Sequence, residues 1–176
     1  MAARPTIYRP NVRRLRLDPF FSQAAEQVAS WVRTEQDAFW LAPSSAPPIT
    51  PATIRGWQSP GRQPLLLTDG EAGVIVGYGE MNVLNTAERS YWLGHLIIDP
   101  AQRSRGLGKQ LTRLLLLNAF HRHAARKVTL IVFPENRHAV AAYRAAGLFD
   151  ECYEEHDFPA YRLRKELLRM TATGVR

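Results

Sequence analysis

The spacing of apolar side chains changes several times along the chain, and each change predicts an element. Residues 11–17, Asn-Val-Arg-Arg-Leu-Arg-Leu, mix apolar and basic side chains in near alternation and predict a first strand. Asp18-Pro19 reads as an N-cap followed by proline at the first helical position. Phe21, Ala25, Val28, Ala29 and Val32 then recur at intervals of three and four, the stripe of an amphipathic helix. Thr50-Pro51 repeats the same start signal before a short helix over residues 53–57. Residues 65–68 and 72–83 predict two strands parted by the turn Asp69-Gly70, and residues 84–89 close a hairpin onto a third, 91–98. Asp99-Pro100 ends that strand, because proline has no N–H for the ladder.

From residue 106 to 121 the period returns to that of a helix, with Leu107, Leu111, Leu114, Leu115 and Leu117 on one broad face. Residues 128–133 are continuously apolar, as in a strand buried on both faces. Asn136 caps a helix that Gly147 ends, and residues 158–168 predict the last strand. The order predicts an α/β fold, a mixed sheet flanked by helices. One domain is expected over residues 11–168, with flexible ends at 1–10 and 169–176. The proline-rich stretch 43–51 is too short to separate two domains.

Composition adds constraints. The chain has 176 residues, 45% hydrophobic and 22% charged, as in a globular domain with a sizeable core. No apolar run approaches the ~20 residues of a membrane helix. The start, Met-Ala-Ala-Arg-Pro-Thr, lacks the apolar stretch of a signal peptide, so a cytoplasmic location is expected. The one cysteine, Cys152, rules out an internal disulfide framework and reads as a small packed residue. His121, His123, His138 and His156 lack the spacing of a metal site, and no metal is expected. The net charge of +7 is spread out rather than run together, and reads as a solvated basic surface ahead of a nucleic-acid footprint.

The most informative stretch is Leu96-Ile-Ile-Asp-Pro-Ala-Gln-Arg-Ser-Arg-Gly-Leu-Gly-Lys109. An apolar strand stops at proline, and a loop with two glycines opens a long helix. A helix N-terminus exposes unpaired N–H groups and positive potential, so it attracts anions. Gly106 and Gly108 leave the backbone open to phosphate oxygens, and Arg103, Arg105 and Lys109 add positive charge. Neither G-x-G-x-x-G nor G-x-x-x-x-G-K-[ST] is present, which argues against a P-loop nucleotidase.

Arg103-Ser-Arg-Gly-Leu-Gly108 resembles the R/Q-x-x-G-x-G/A signature of the GNAT superfamily of N-acetyltransferases. A second segment resembles that family's other signature. It has Asn136, Ala139, Tyr143 and Gly147 at the expected offsets, with Leu148 inserted before the aromatic Phe149. The resemblance spans about residues 10–168, with its specificity concentrated in 91–149. It implies a six- to seven-stranded mixed sheet and acetyl-CoA as acetyl donor, bound by residues 103–109 (Arg103, Ser104, Arg105, Gly106, Leu107, Gly108, Lys109). The backbone of Leu96, Ile97 and Ile98 is then expected to pair with the pantetheine arm. Asn136 reads as an N-cap, a cofactor contact, or both. Tyr143 shares its helix face, and in the family's pattern its hydroxyl protonates the departing thiolate.

Amide formation from a thioester needs a neutral amine, a polarised carbonyl and a proton for sulfur. The positions where family members carry a base are Trp92, Gly94 and Ile131 here, so those bases are missing. His95 is a further candidate base, but strict strand alternation turns it away from the face of Trp92 and Gly94 and ranks it below Glu80. Glu80, on the neighbouring strand, is therefore the expected base, with water-mediated deprotonation as the other route. Phe39, Trp40, Trp57, Tyr78 and Trp92 are aromatic candidates for the acceptor entrance. The expected function is acetyl transfer to a primary amine of a small molecule or protein. A non-catalytic acyl-CoA-binding protein of the same fold is the first alternative, and a basic nucleic-acid-binding protein ranks below it. Pairing of the final strand across a homodimer is left open, and no membrane partner is expected.

Overall fold

The computed structural model describes residues 14–174. Its strands are β1 (Leu15–Pro19), β2 (Arg62–Asp69), β3 (Val74–Asn85), β4 (Ser90–Ile98), β5 (Lys127–Val132), β6 (Phe149–Phe158) and β7 (Leu163–Thr173). The helices are α1 (Ala24–Ser30), α2 (Glu35–Leu41), α3 (Pro51–Gly56), α4 (Leu107–Leu117) and α5 (Arg137–Ala146). The strands form one mixed sheet in the order β1-β2-β3-β4-β5-β7-β6. Short turns join β2, β3 and β4 into an antiparallel meander. The α4 crossover makes β4 and β5 parallel, since a parallel pair needs a long connection.

Alternation along β2 divides the core in two. Leu65 and Leu67 point into a layer filled by Leu107, Leu111 and Leu115 of α4. Leu66 points the other way, to Val28 of α1 and Ile54 of α3. Side chains on the two faces of a strand meet different layers, so each helix needs only one apolar stripe. A smaller cluster of Phe39, Phe133, Phe158 and Leu167 ties α2 to β5, β6 and β7. Thr50 caps α3 with Pro51 in the first turn, as the sequence predicts; Thr53 completes a reciprocal capping box, and the helix spans Pro51–Gly56 rather than residues 53–57.

The β4–β5 pair is the feature that makes a site. The strands are in register only from Ser90↔Lys127 to Trp92↔Thr129. Beyond Trp92 they part, and the backbone of residues 93–98 on that side has no strand partner. β5 stays fully paired on its other side, to β7.

Several expectations are corrected. Asp18 and Pro19 do not begin a helix: they end β1, with Pro19 opposite Leu65, and α1 starts at Ala24 without a side-chain cap. β1 is an edge strand, where the N–H that proline lacks is not required. Phe21, placed on the helix stripe, is half exposed and lies before the helix. At the start of the expected last strand, Phe158 ends β6 and residues 159–162 form the turn between β6 and β7. β7 continues through Thr173, so residues 169–173 are not a flexible tail. They pair with β5 from Arg169↔Ile131 to Thr173↔Lys127. The predicted strand residues 11–13 and the segment 1–10, expected to be flexible, lie outside the described residues.

Candidate active site

The loop before α4 is built to leave its backbone open. The Asp99 carboxylate accepts from the Ala101 N–H at 2.9 Å and starts a short turn over Pro100–Gln102. Ser104 and Gly106 follow with φ of 62° and 74°, and Gly106 caps α4 with no side-chain hydrogen bond. That left-handed conformation favours glycine. A Cβ built on Gly106 would meet nothing within 4 Å, and one on Gly108 only the Ala142 Cβ at 3.5 Å. Internal packing therefore does not require a glycine at position 108. The room lies on the cleft side, where uncapped helix N–H groups and positive potential meet.

A cleft of about 1510 Å³ runs from this loop to the far side of the sheet. The loop and α5 wall one end, Trp57 and Glu80 the other, and the parted β4 and β5 form its floor. Leu96, Ile97 and Ile98 line the floor. Their side chains pack into the core layers, so it is their backbone that meets the opening. Arg103, Ser104, Gly106, Leu107, Gly108 and Lys109 also line it. Arg105 does not: its guanidinium donates to Gln102 Oε1 at 2.6 Å. The Arg103 guanidinium pairs with Asp37 of α2 at 3.3 Å, which anchors the loop to the N-terminal helices. The geometry fits a pyrophosphate at residues 106–109 and an extended pantetheine arm along β4.

Asn136 caps α5 by accepting from the Ala139 N–H at 3.2 Å, and lies in the cleft wall as well. Tyr143, two turns along the same face, packs against the main core and borders the cleft. Burial pushes its hydroxyl up to about 12, so it is protonated at neutral pH and available as a proton donor.

At the opposite end Glu80 is wholly buried within a hydrogen-bonded cluster. Tyr78 donates its hydroxyl to Glu80 Oε1 at 2.7 Å, and Asn82 Nδ2 donates to Oε2 at 3.3 Å. The His95 imidazole Nδ1 lies 2.9 Å from Oε1. Burial acts to raise Glu80, but the hydrogen bond and charge of His95, with the Tyr78 and Asn82 bonds, outweigh it. The carboxyl is held below its ordinary value. Burial, followed by the adjacent Glu80 charge, drives the Tyr78 phenol upward.

His95 overturns the alternation argument. Tyr78 pairs with Ile97 and Glu80 with Gly94, so β4 carries one more residue than β3 between those pairs. This β-bulge, with His95 at φ of 49°, brings its ring to the face that carries Glu80. The ring stacks on Trp57 at 3.8 Å between centroids. Gly94 inside a strand is the local signal from which the bulge could have been read, though it was not used. Of the aromatic candidates, Trp40, Trp57 and Trp92 line the cleft, whereas Phe39 and Tyr78 are packed in the core. Among the described residues no group of three or more His, Cys, Asp or Glu side chains is arranged to hold a metal ion. No described helix is long and apolar enough to cross a membrane.

The fold is shared with solved acetyltransferases. The spermidine N-acetyltransferase of Vibrio cholerae, in complex with CoA and spermine, superposes with a TM-score of 0.75 at 17% identity, covering 92% of this chain and 96% of that one. A GNAT-family acetyltransferase from Bacillus anthracis gives 0.74 at 17%, covering 93% and 97%. AAC(6')-Ib, in complex with ribostamycin and coenzyme A, gives 0.71 at 18%, covering 90% and 93%. No curated protein is similar enough to count as a match. Residues 25–148, which contain both the glycine loop and the Asn136–Gly147 segment, match the profile of the Acetyltransferase (GNAT) family. The chain therefore belongs to the GNAT family of acetyltransferases.

Proposed function

We propose that the chain transfers the acetyl group of acetyl-CoA to a primary amine of a small molecule, by direct attack within a ternary complex. The observation that carries this reading is the continuous cleft from the uncapped α4 N-terminus, along the unpaired side of β4, to the Glu80 cluster. A phosphorylated donor with a long linear arm suits its first two parts, and an acceptor amine suits the third.

Each step falls to residues of this chain. The N–H groups of residues 106–109, with Lys109, hold the pyrophosphate. A β4 backbone N–H facing the gap stabilises the developing oxyanion. Tyr143 gives its proton to the leaving sulfur. The Glu80 cluster accepts a proton from the incoming ammonium, which at neutral pH must be deprotonated before it attacks. Trp57 and Trp92 suit a cationic acceptor, since aromatic faces attract ammonium groups. Structural neighbours crystallised with spermine and with ribostamycin support a small polyamine-like acceptor rather than a protein.

The test is calorimetric titration with acetyl-CoA, comparing the wild type with Gly108→Glu. A Cβ at position 108 meets only the Ala142 Cβ at 3.5 Å, an ordinary contact, so the variant should fold, and an unchanged melting temperature checks that it does. The variant should lose at least tenfold in affinity, or ~1.4 kcal/mol. Thiol release across an amine panel that includes spermine and ribostamycin then reports turnover. A wild type that binds no acetyl-CoA refutes the reading; one that binds it and acetylates nothing is an acyl-CoA-binding protein.

A further inference from the structure

Which member of the buried cluster takes the proton is decided by exposure. Only 1% of the Glu80 side chain is accessible, against 20% of His95. Both Glu80 oxygens already accept hydrogen bonds, from Tyr78 and His95 on one and from Asn82 on the other. We propose that His95 is the catalytic base of this acetyltransferase and that Glu80 is a positioning residue acting through it. The proposal rests on the acetyl-transfer reading above.

The tautomer follows from the partners. An ionised carboxylate only accepts, so the neutral imidazole carries its proton on Nδ1, toward Glu80, and its lone pair on Nε2. Nε2 has no hydrogen-bond partner among the described residues and is not sealed from solvent, and the ring borders the cleft. The bulge sets the ring's position, stacking on Trp57 fixes its plane at 16°, and Glu80 fixes its rotation. The groups around the ring are Glu80 and Tyr78 from β3, Trp57 just after α3, and Arg62 from β2, whose guanidinium donates to the Trp57 carbonyl at 3.2 Å. Glu80 is the anion that balances the imidazolium as it forms.

The proton count closes. The ammonium gives one proton to Nε2, which passes it to solvent. The amine forms the C–N bond to the acetyl carbon as the C–S bond breaks. Tyr143 protonates the sulfur, and the new amide returns its second N–H proton to Tyr143. The products are acetamide, free thiol and one proton.

The experiment is the pH profile of kcat/KM for wild type, His95→Gln and Glu80→Gln, with an amine from the panel that the wild type acetylates. His95→Gln should lower the plateau by about 10²–10⁴ and abolish the acid limb, with acetyl-CoA affinity unchanged. Glu80→Gln should keep an acid limb, because the base itself is still present, and should lower kcat less than His95→Gln does, because only the group that orients the ring has changed. This variant has a ready structural answer, since Asn82 Oδ1 is buried without a partner and an amide flip lets it accept from the new side-chain N–H₂. A limb that survives in His95→Gln and vanishes in Glu80→Gln overturns the proposal while leaving acetyl transfer intact. A wild type with no turnover on any amine removes the acetyl-transfer reading, and this proposal with it. As a measurement that needs no variant, ¹⁵N–¹H correlation of the wild-type histidine side chains should show neutral His95 protonated on Nδ1. A proton on Nε2 refutes the assignment.

Discussion

Replacing Tyr78 with phenylalanine removes a single donor from the buried Glu80 carboxylate and little else. Tyr78 is fully buried, its ring set edge-on to Phe20 at 5.6 Å and tilted against Trp57 at 6.3 Å, and phenylalanine keeps both contacts. What goes is the 2.7 Å hydrogen bond to Oε1. A hydrogen bond to a charged group contributes ~1.5–3 kcal/mol. In a domain of this size each kcal/mol shifts the melting temperature by about 2–4 °C, so the expected loss is about 3–12 °C. The pH dependence has a definite sign. Glu80 is depressed in the folded state, so its stabilisation is present above the ordinary carboxylate value of 4.5 and is lost as pH falls through the folded value. Without the Tyr78 donor the carboxyl is less depressed, so the penalty is full at pH 7 and shrinks under acid conditions. Urea unfolding followed by tryptophan fluorescence at a series of pH values measures both effects. A penalty below ~0.5 kcal/mol at pH 7, or one that grows on acidification, would refute the assignment of Tyr78 as a donor to an ionised Glu80.

Leu115 of α4 is fully buried in the main core, and Leu115→Ala should cost about 2–5 kcal/mol in urea unfolding, with a secondary-structure spectrum that stays native. Arg169 donates to both oxygens of Glu154, at 2.5 and 2.8 Å, and holds its carboxyl at about 2. The pair is partly exposed, so Arg169→Met should cost no more than ~1 kcal/mol at pH 7. That cost should fade as pH drops from 4.5 toward 2, where the wild type loses the same interaction. Tyr143→Phe should leave acetyl-CoA affinity unchanged in calorimetry and lower kcat by about 10²–10⁴ in thiol-release assays, since only the proton donor is removed.

Much of the fold was legible because the relevant signals are local. The leucines of α4, the two-glycine loop, the Thr50-Pro51 start of α3 and the β2–β3–β4 meander each follow from a few consecutive residues. Thr34-Glu-Gln-Asp37 carried the same kind of signal: Thr34 accepts from the Asp37 N–H at 3.0 Å at the start of α2, a helix left out of the sequence reading. β6 was hidden for the opposite reason. It is an edge strand whose side chains are mostly polar and exposed, so no apolar period marks it.

By itself the sequence determined the order of the strands and helices other than α2 and β6, the loop that opens toward an anion, and membership of a family with a known pattern, since each depends on neighbours along the chain. Which groups meet was decided by the tertiary structure. Arg103 reaches Asp37 across 66 positions, and His95 reaches Glu80 across 15, over a bulge that breaks the two-residue period. Alternation assumes an unbroken ladder, and one added residue turns the following side chains to the other face. The opening between β4 and β5 is likewise a matter of how two distant segments pair and then part, which no run of residues within either strand encodes.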